Sequence, residues 1–191
     1  MNKLISAVMI LCLAEISTLV KADMLTFDDI TTTIWYELIP DGYGGVDWDN
    51  FNAIYGPSYP GTAYDWGRVS GDYTAYNGYG SPASISISSG TFDFNGAYLA
   101  PQDSWNVRVL GYREGALTHD NTVVLAAGSQ WFDFNYMDID ELRFIPVYDG
   151  RFVMDNFTFN EPVVPIPVPG ALVLGAIGLS FAGWRLKRKT V

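Results

Sequence analysis

The residues best suited to ligand chemistry crowd into one span. Between positions 39 and 80, Tyr43, Trp48, Tyr55, Tyr59 and Trp66 are interleaved with Asp49, Asn50 and further acids such as Asp41, Asp47 and Asp65. A sugar ring has an apolar C–H face and a rim of hydroxyls, so a site for it combines flat aromatic faces with carboxylates or amides. On that ground Tyr43, Trp48, Asp49, Asn50, Tyr55, Tyr59 and Trp66 are the candidate carbohydrate-binding residues. The competing reading is that Trp48, Phe51 and Ile54 simply pin a long loop onto the core. A second constellation joins the two ends of the domain. Asp28-Asp29 and Asp155-Asn156 each sit inside an apolar run expected to be a strand, where an unpaired carboxylate is costly. A hard cation with oxygen ligands would neutralise them, and calcium accepts carboxylates, amides and carbonyls at flexible geometry. Against this stands the reading that the acids face solvent on alternating strands.

Catalytic chemistry has less to stand on, and the expectation is that the protein is not an enzyme. Paired carboxylates such as Asp47 and Asp49 are the residue types of a glycosidase acid and nucleophile. Acids are frequent enough here to pair by chance. No Gly-x-Ser-x-Gly, His-Glu-x-x-His or phosphate-loop motif occurs. The single histidine, His119, lies in a polar run and reads as a solvated loop residue. One histidine leaves a Ser-His-Asp triad or a histidine-rich metal site hard to build. The one cysteine, Cys12, falls in a segment expected to be removed, so the mature domain has neither disulfides nor thiolate chemistry.

These residues need elements to position them, and the pattern of the middle of the chain is all-β. Short alternating runs separated by turn residues recur at 25–30, 84–88, 91–95, 107–113, 122–126, 131–134, 141–147 and 152–159. Roughly eight strands with no long helix predict a jelly-roll β-sandwich of two packed antiparallel sheets over residues 23–161. Phe-Asp-Phe-Asn occurs at 92–95 and again at 132–135, which reads as two similar strands. The span 39–80, with Pro40, Pro57 and Pro60 and many glycines, reads as loop-rich and functional. Charge is unevenly distributed. Residues 23–161 carry five basic side chains, all arginine, against 20 acids. A surface that acidic repels phosphate backbones, so a nucleic-acid partner is not expected; divalent cations and neutral or basic polymers suit it.

The two ends read as addresses. Residues 1–22 have Lys3, an apolar run 4–14 and Val20 and Ala22 before Asp23, the layout of a signal peptide. Residues 162–191 combine a proline-rich spacer, a charge-free apolar run at 168–184 expected to be a transmembrane helix, and a basic end, Arg185, Lys187, Arg188 and Lys189. Seventeen helical residues span about 25 Å, slightly short for a hydrocarbon core of about 30 Å. The basic cluster reads as a stop-transfer signal held on the cytoplasmic side. An ordinary C-terminal anchor is the simpler alternative.

The order of proline motif, apolar helix and basic cluster resembles the PEP-CTERM sorting signal of Gram-negative bacteria. The Pro-Glu-Pro of that signal is replaced by Pro165, Pro167 and Pro169 in a Val-Pro-x-Pro-like variant. The resemblance implies an exosortase-type sorting protease as partner, transient anchoring in the inner membrane, and release to the cell surface or an exopolysaccharide matrix. Residues 25–159 are similar to domains of other PEP-CTERM proteins and to galactose-binding-like or carbohydrate-binding-module jelly rolls. The resembling pieces include residues 25–30, 39–45, 48–51, 76–80 and 152–157. In such jelly rolls acids on the first and last strands hold a structural calcium ion. The resemblance carries that role to Asp28 and Asp155, and to Asp29 beside them. The expected function is a secreted, non-catalytic β-sandwich that binds matrix polysaccharide. A structural or adhesive matrix protein without a defined sugar ligand is the alternative, and a glycoside hydrolase the third reading.

Overall fold

The computed structural model describes residues 23–30 and 35–160. The expected signal peptide at 1–22 and the sorting tail at 162–191, with Pro165, Pro167, Pro169, Arg185, Lys187, Arg188 and Lys189, lie outside the described residues. Among the described residues no helix is long and apolar enough to cross a membrane.

The strands form two antiparallel sheets, as the alternating runs predict. The larger sheet contains β1 (Asp23–Leu25), β2 (Tyr36–Leu38), β4 (Phe51–Tyr55), β5 (Tyr73–Asn77), β7 (Phe92–Pro101), β10 (Gln130–Ile139) and β12 (Phe152–Phe159). Its order is β10-β7-β12-β5-β4-β2, and β1 pairs with the last residues of β12. The smaller sheet contains β3 (Asp47–Asp49), β6 (Ala83–Ser86), β8 (Asn106–Arg113), β9 (Ala116–Val124) and β11 (Glu141–Pro146), in the order β3-β6-β11-β8-β9. Of the four strands beyond the expected eight, β2 and β3 are only three residues long, too short to show a period in sequence.

Alternation sets the core. In β6, Ala83 and Ile85 turn inward while Ser84 and Ser86 stay partly exposed. Phenylalanines tie the sheets together: Phe51 of the larger meets Phe144 of the smaller edge-on at 5.7 Å. The two Phe-Asp-Phe-Asn segments are neighbours in β7 and β10, with Phe94 stacked on Phe134 at 5.0 Å. Register is fixed where turn chemistry dictates it. Arg113 pairs with Ala116, leaving Glu114 and Gly115 at φ 50° and 76°, the two left-handed residues a type I′ hairpin requires.

Three expectations are corrected. Residues 39–80 are loop-rich but not loop alone, because β4 and β5 lie inside the larger sheet. Neither strand shows clean alternation because both faces of the sheet are covered there. Phe51 and Ala53 face the main core. Ile54 and Tyr76 face a second cluster with Ala63, Tyr64, Ala100 and Val153. That cover is the segment 56–67, which includes a short helix α1 (Ala63–Trp66) and is tied down by Ala63 N–H donating to Gln102 Oε1 at 2.8 Å. Second, Asp28 and Asp29 sit in a turn after β1, not within a strand, since Phe27 adopts φ 65° and its carbonyl accepts from Ile30 N–H. Third, His119 is a strand residue of β9, its ring stacked on Tyr136 at 4.5 Å.

Candidate functional site

The outer face of the larger sheet carries a groove. Directly opposed residues of neighbouring strands share a face. Asn52 opposes Tyr76 across β4 and β5, and Tyr36 of the edge strand β2 opposes Ile54, so Tyr36, Asn52 and Tyr76 all project outward. They form the floor of a groove of about 650 Å³. Its wall comes from three separate stretches, represented by Tyr79, Asp103 and the turn Asp149-Gly150-Arg151.

Glycine makes that wall possible. Gly150 N–H donates to the Gly80 carbonyl at 3.0 Å, joining the two turns main chain to main chain. A Cβ on Gly80 would come within 2.9 Å of the Gly150 nitrogen, and Gly80 itself sits at φ 71°. Between Gly78 and Gly80, Tyr79 is held at φ 55° and its side chain is 95 % exposed. A left-handed tyrosine is strained, and strain of this kind collects at sites where the backbone aims a side chain.

The polar groups differ in how far they are already engaged. Arg151 Nε donates to Asp103 Oδ2 at 2.6 Å. Burial pushes the Tyr64 phenol up, while the Arg151 charge pulls it back down. Tyr76, pushed up by burial and by neighbouring tyrosines, keeps its proton across the physiological range. Asn52 is only 8 % exposed and, among the described residues, its side chain has no hydrogen-bond partner. Asp149 likewise has no hydrogen bond or ion pair among the described residues. The aromatic set extends along the sheet face: Tyr36 meets Tyr76 at 6.3 Å, Tyr76 meets Tyr64 at 5.1 Å, Tyr64 meets Tyr59 at 5.6 Å, and Tyr59 meets Trp35 at 6.3 Å. Flat rings, an unpaired amide and an unpaired carboxylate together suit a polyhydroxylated ring better than an apolar ligand.

None of the seven residues expected to bind sugar lines this groove. Trp48 is a correction: it is 4 % exposed, packs edge-on against Phe27, Phe51 and Phe157, and donates its indole N–H to the Tyr43 carbonyl. Its ring faces the core and has no free face for stacking. Tyr43 lies beside it, its hydroxyl donating to Asp29 at 2.6 Å. Asn50, at φ 56°, donates to the carbonyls of Gly78 and Pro82 and so braces the groove wall from behind. Tyr55 packs on Tyr73. Asp49 lies with Asp47 on β3, an edge of the other sheet. Trp66 is 39 % exposed on α1. Tyr59 alone belongs to the groove's aromatic set, two rings away from Tyr76. The residues that sequence reasoning missed are Tyr36, Asn52, Tyr76, Tyr79, Asp103, Asp149 and Arg151. Tyr76 lies within the aromatic span 39–80, and Tyr36 lies just before it. Nothing in the chain order links Asp149-Gly150-Arg151 to them.

The acids expected to hold a cation divide. Asp155 is fully buried in β12, where its Oδ2 accepts from Val69 and Ser70 N–H and its Oδ1 from Asn156 N–H. Burial raises its carboxyl above the ordinary value, three main-chain N–H groups pull it down, and the Asp28 charge adds to the rise. Asp28 accepts from Asp72 and Tyr73 N–H through one oxygen. Asp28 and Asp155 thus grip the same segment, 69–73, and no basic side chain pairs with either among the described residues. Ser70 Oγ and Asn156 Oδ1 add two more oxygens beside Asp155. Each carboxylate is answered by main-chain N–H donors, and among the described residues no group of three or more His, Cys, Asp or Glu side chains is placed to hold a metal ion. Asp29 does not belong to this pair, because its carboxylate is taken by Tyr43.

No protein-family model matches the chain, and no curated protein matches it. Several solved structures are similar, two of them carbohydrate-binding modules. One is a mutant of CBM29-2, a family 29 carbohydrate-binding module, at 12 % identity and a TM-score of 0.41, covering 78 % of this chain and 98 % of that one. The other is TmCBM61 in complex with β-1,4-galactotriose, at 10 % identity and a TM-score of 0.36, covering 63 % of this chain and 93 % of that one.

Proposed function

We propose that this protein is a non-catalytic carbohydrate-binding β-sandwich and that its ligand lies in the groove over Tyr36, Asn52 and Tyr76. The observation that carries the reading is the Asn52 amide, without a hydrogen-bond partner among the described residues, at the floor of a tyrosine-lined groove. An amide that makes no hydrogen bond within the protein is free to bond a sugar hydroxyl. Tyr36 and Tyr79, both exposed, line the same groove and offer rings for stacking. Affinity electrophoresis of the full-length protein against a panel of neutral glycans tests this. Retardation by at least one glycan is expected, and Tyr79→Ala or Asn52→Ala should weaken it by about 1–3 kcal/mol without unfolding the sandwich. Retardation indifferent to both substitutions would place the site elsewhere, and retardation by no glycan would favour the structural-matrix reading.

Export and sorting complete the proposal. The signal peptide at 1–22 and the proline–apolar–basic tail support delivery through an exosortase-type protease to the cell surface or an exopolysaccharide matrix. Replacing Arg185, Lys187, Arg188 and Lys189 with neutral residues should impair processing in a Gram-negative host; unchanged mature mass and unchanged surface delivery would contradict it. Calcium is proposed at the Asp28–Asp155 pair. An ion bound to the native state alone stabilises by about 3 kcal/mol at a hundredfold excess over its dissociation constant. The melting temperature should therefore rise with calcium in the wild type and not in Asp28→Ala. A calcium-independent melting curve, with no metal in the purified protein, would contradict the site.

A further inference from the structure

The groove holds one charge that nothing in the protein answers. Of its ionisable carboxylate and guanidinium groups, Arg151 and Asp103 are spent on each other at 2.6 Å. Asp149 is exposed and, among the described residues, has no hydrogen bond or ion pair. The groove therefore carries a net charge of about −1 next to Tyr36, Tyr76 and Tyr79. Two further features act in the same direction. The ring faces of tyrosine attract a cation through their quadrupole. The surrounding domain, with five arginines against 20 acids over residues 23–161, draws cations toward it.

We infer that the groove is selective for glycans bearing a free amine, with Asp149 accepting a charge-assisted hydrogen bond from the ammonium of a 2-amino-2-deoxy sugar. The inference rests on the carbohydrate reading of the same groove and names the ligand class. A neutral hydroxyl in that place would leave the carboxylate uncompensated, and an N-acetyl group would replace the ammonium with an amide of no net charge. A uronic acid would meet Asp149 with like charge. Hydrogen bonds between ionised partners are roughly twice as strong as neutral ones, which sets the expected discrimination at about tenfold.

The test is calorimetric titration of the full-length protein with β-1,4-linked glucosamine hexamer and N-acetylglucosamine hexamer at low salt. At pH about 5.5 the amines are charged. There the glucosamine hexamer should bind about tenfold more tightly than its acetylated counterpart. The preference should disappear at pH about 9, where the amines are neutral. It should also disappear in Asp149→Asn. Asp49→Asn removes the same charge from β3 on the other sheet and should retain the preference. Equal affinity for the two hexamers, or a preference that survives Asp149→Asn, would overturn the amine selectivity while leaving sugar binding in place. Binding of neither hexamer, together with no binding to any neutral glycan, would instead remove the carbohydrate reading beneath it. An oligolysine peptide that binds as tightly as the glucosamine hexamer would overturn the inference in favour of unselective cation attraction.

Discussion

Tyr79 holds an unfavourable backbone conformation, φ 55° and ψ 12°, and gains no protein contact for its ring in return. A side chain in the left-handed region costs about 1–2 kcal/mol relative to glycine. Tyr79→Gly should therefore leave stability unchanged or raise it by about 1 kcal/mol while weakening glycan binding, opposite signs that a packing role would not produce. Parallel denaturation and binding measurements on this variant check it. Asp155 makes a separate prediction. Its carboxyl is raised, so the folded state holds the proton more tightly than the unfolded chain does. Its stabilising contribution is then complete below the ordinary aspartate range and is lost as pH rises through the raised value. In calcium-free buffer, melting should fall over that window, and calcium should restore it. Asp155→Asn should remove the pH effect and cost about 1–3 kcal/mol, since an amide nitrogen would face main-chain N–H donors. At this scale the sequence showed which residue types were present but not which way they point. Trp48 and Tyr79 are both aromatic residues in a glycine-rich stretch, and only the backbone turns one to the core and the other to solvent.

The groove is made by elements rather than by a motif. β4 and β5 set its floor, and their neighbour relations follow from a register that no alternation announces, because the segment 56–67 hides the outer face as the core hides the inner one. Alternating strands with one exposed face, such as β6 and β11, were legible; doubly covered strands were not. The wall depends on the Gly80–Gly150 contact. Gly80→Ala forces a Cβ against the Gly150 nitrogen and an L-residue into φ 71°. It should cost about 2 kcal/mol or more in stability and abolish binding. Chemical denaturation and affinity electrophoresis of the same sample separate the two losses. An alanine at Gly115, where a Cβ meets open space in the β8–β9 hairpin, should cost only the conformational part and leave binding intact.

At the scale of the whole molecule, composition and patterning were enough for a two-sheet sandwich with an acidic surface, and both are what the structure has. The site was out of reach because it gathers Tyr36, Asn52, Tyr76, Tyr79, Asp103 and Arg151 from five distant stretches, a long-range arrangement that chain order does not encode. The charge makes a prediction of its own. Acidic polysaccharides should bind more weakly than neutral ones of similar linkage. The gap should narrow as salt shortens the screening length from about 30 Å at 0.01 M to about 8 Å at 0.15 M. The central claim, that a glycan occupies the groove, is tested most directly by following backbone and asparagine side-chain amide resonances while a binding oligosaccharide is added. The account predicts saturable shifts confined to Tyr36, Asn52, Tyr76, Tyr79, Gly80, Gly150 and Arg151, with the Asn52 side-chain amide among the largest. Shifts centred instead on β8, β9 and β11 of the other sheet, with the groove unmoved, would contradict it.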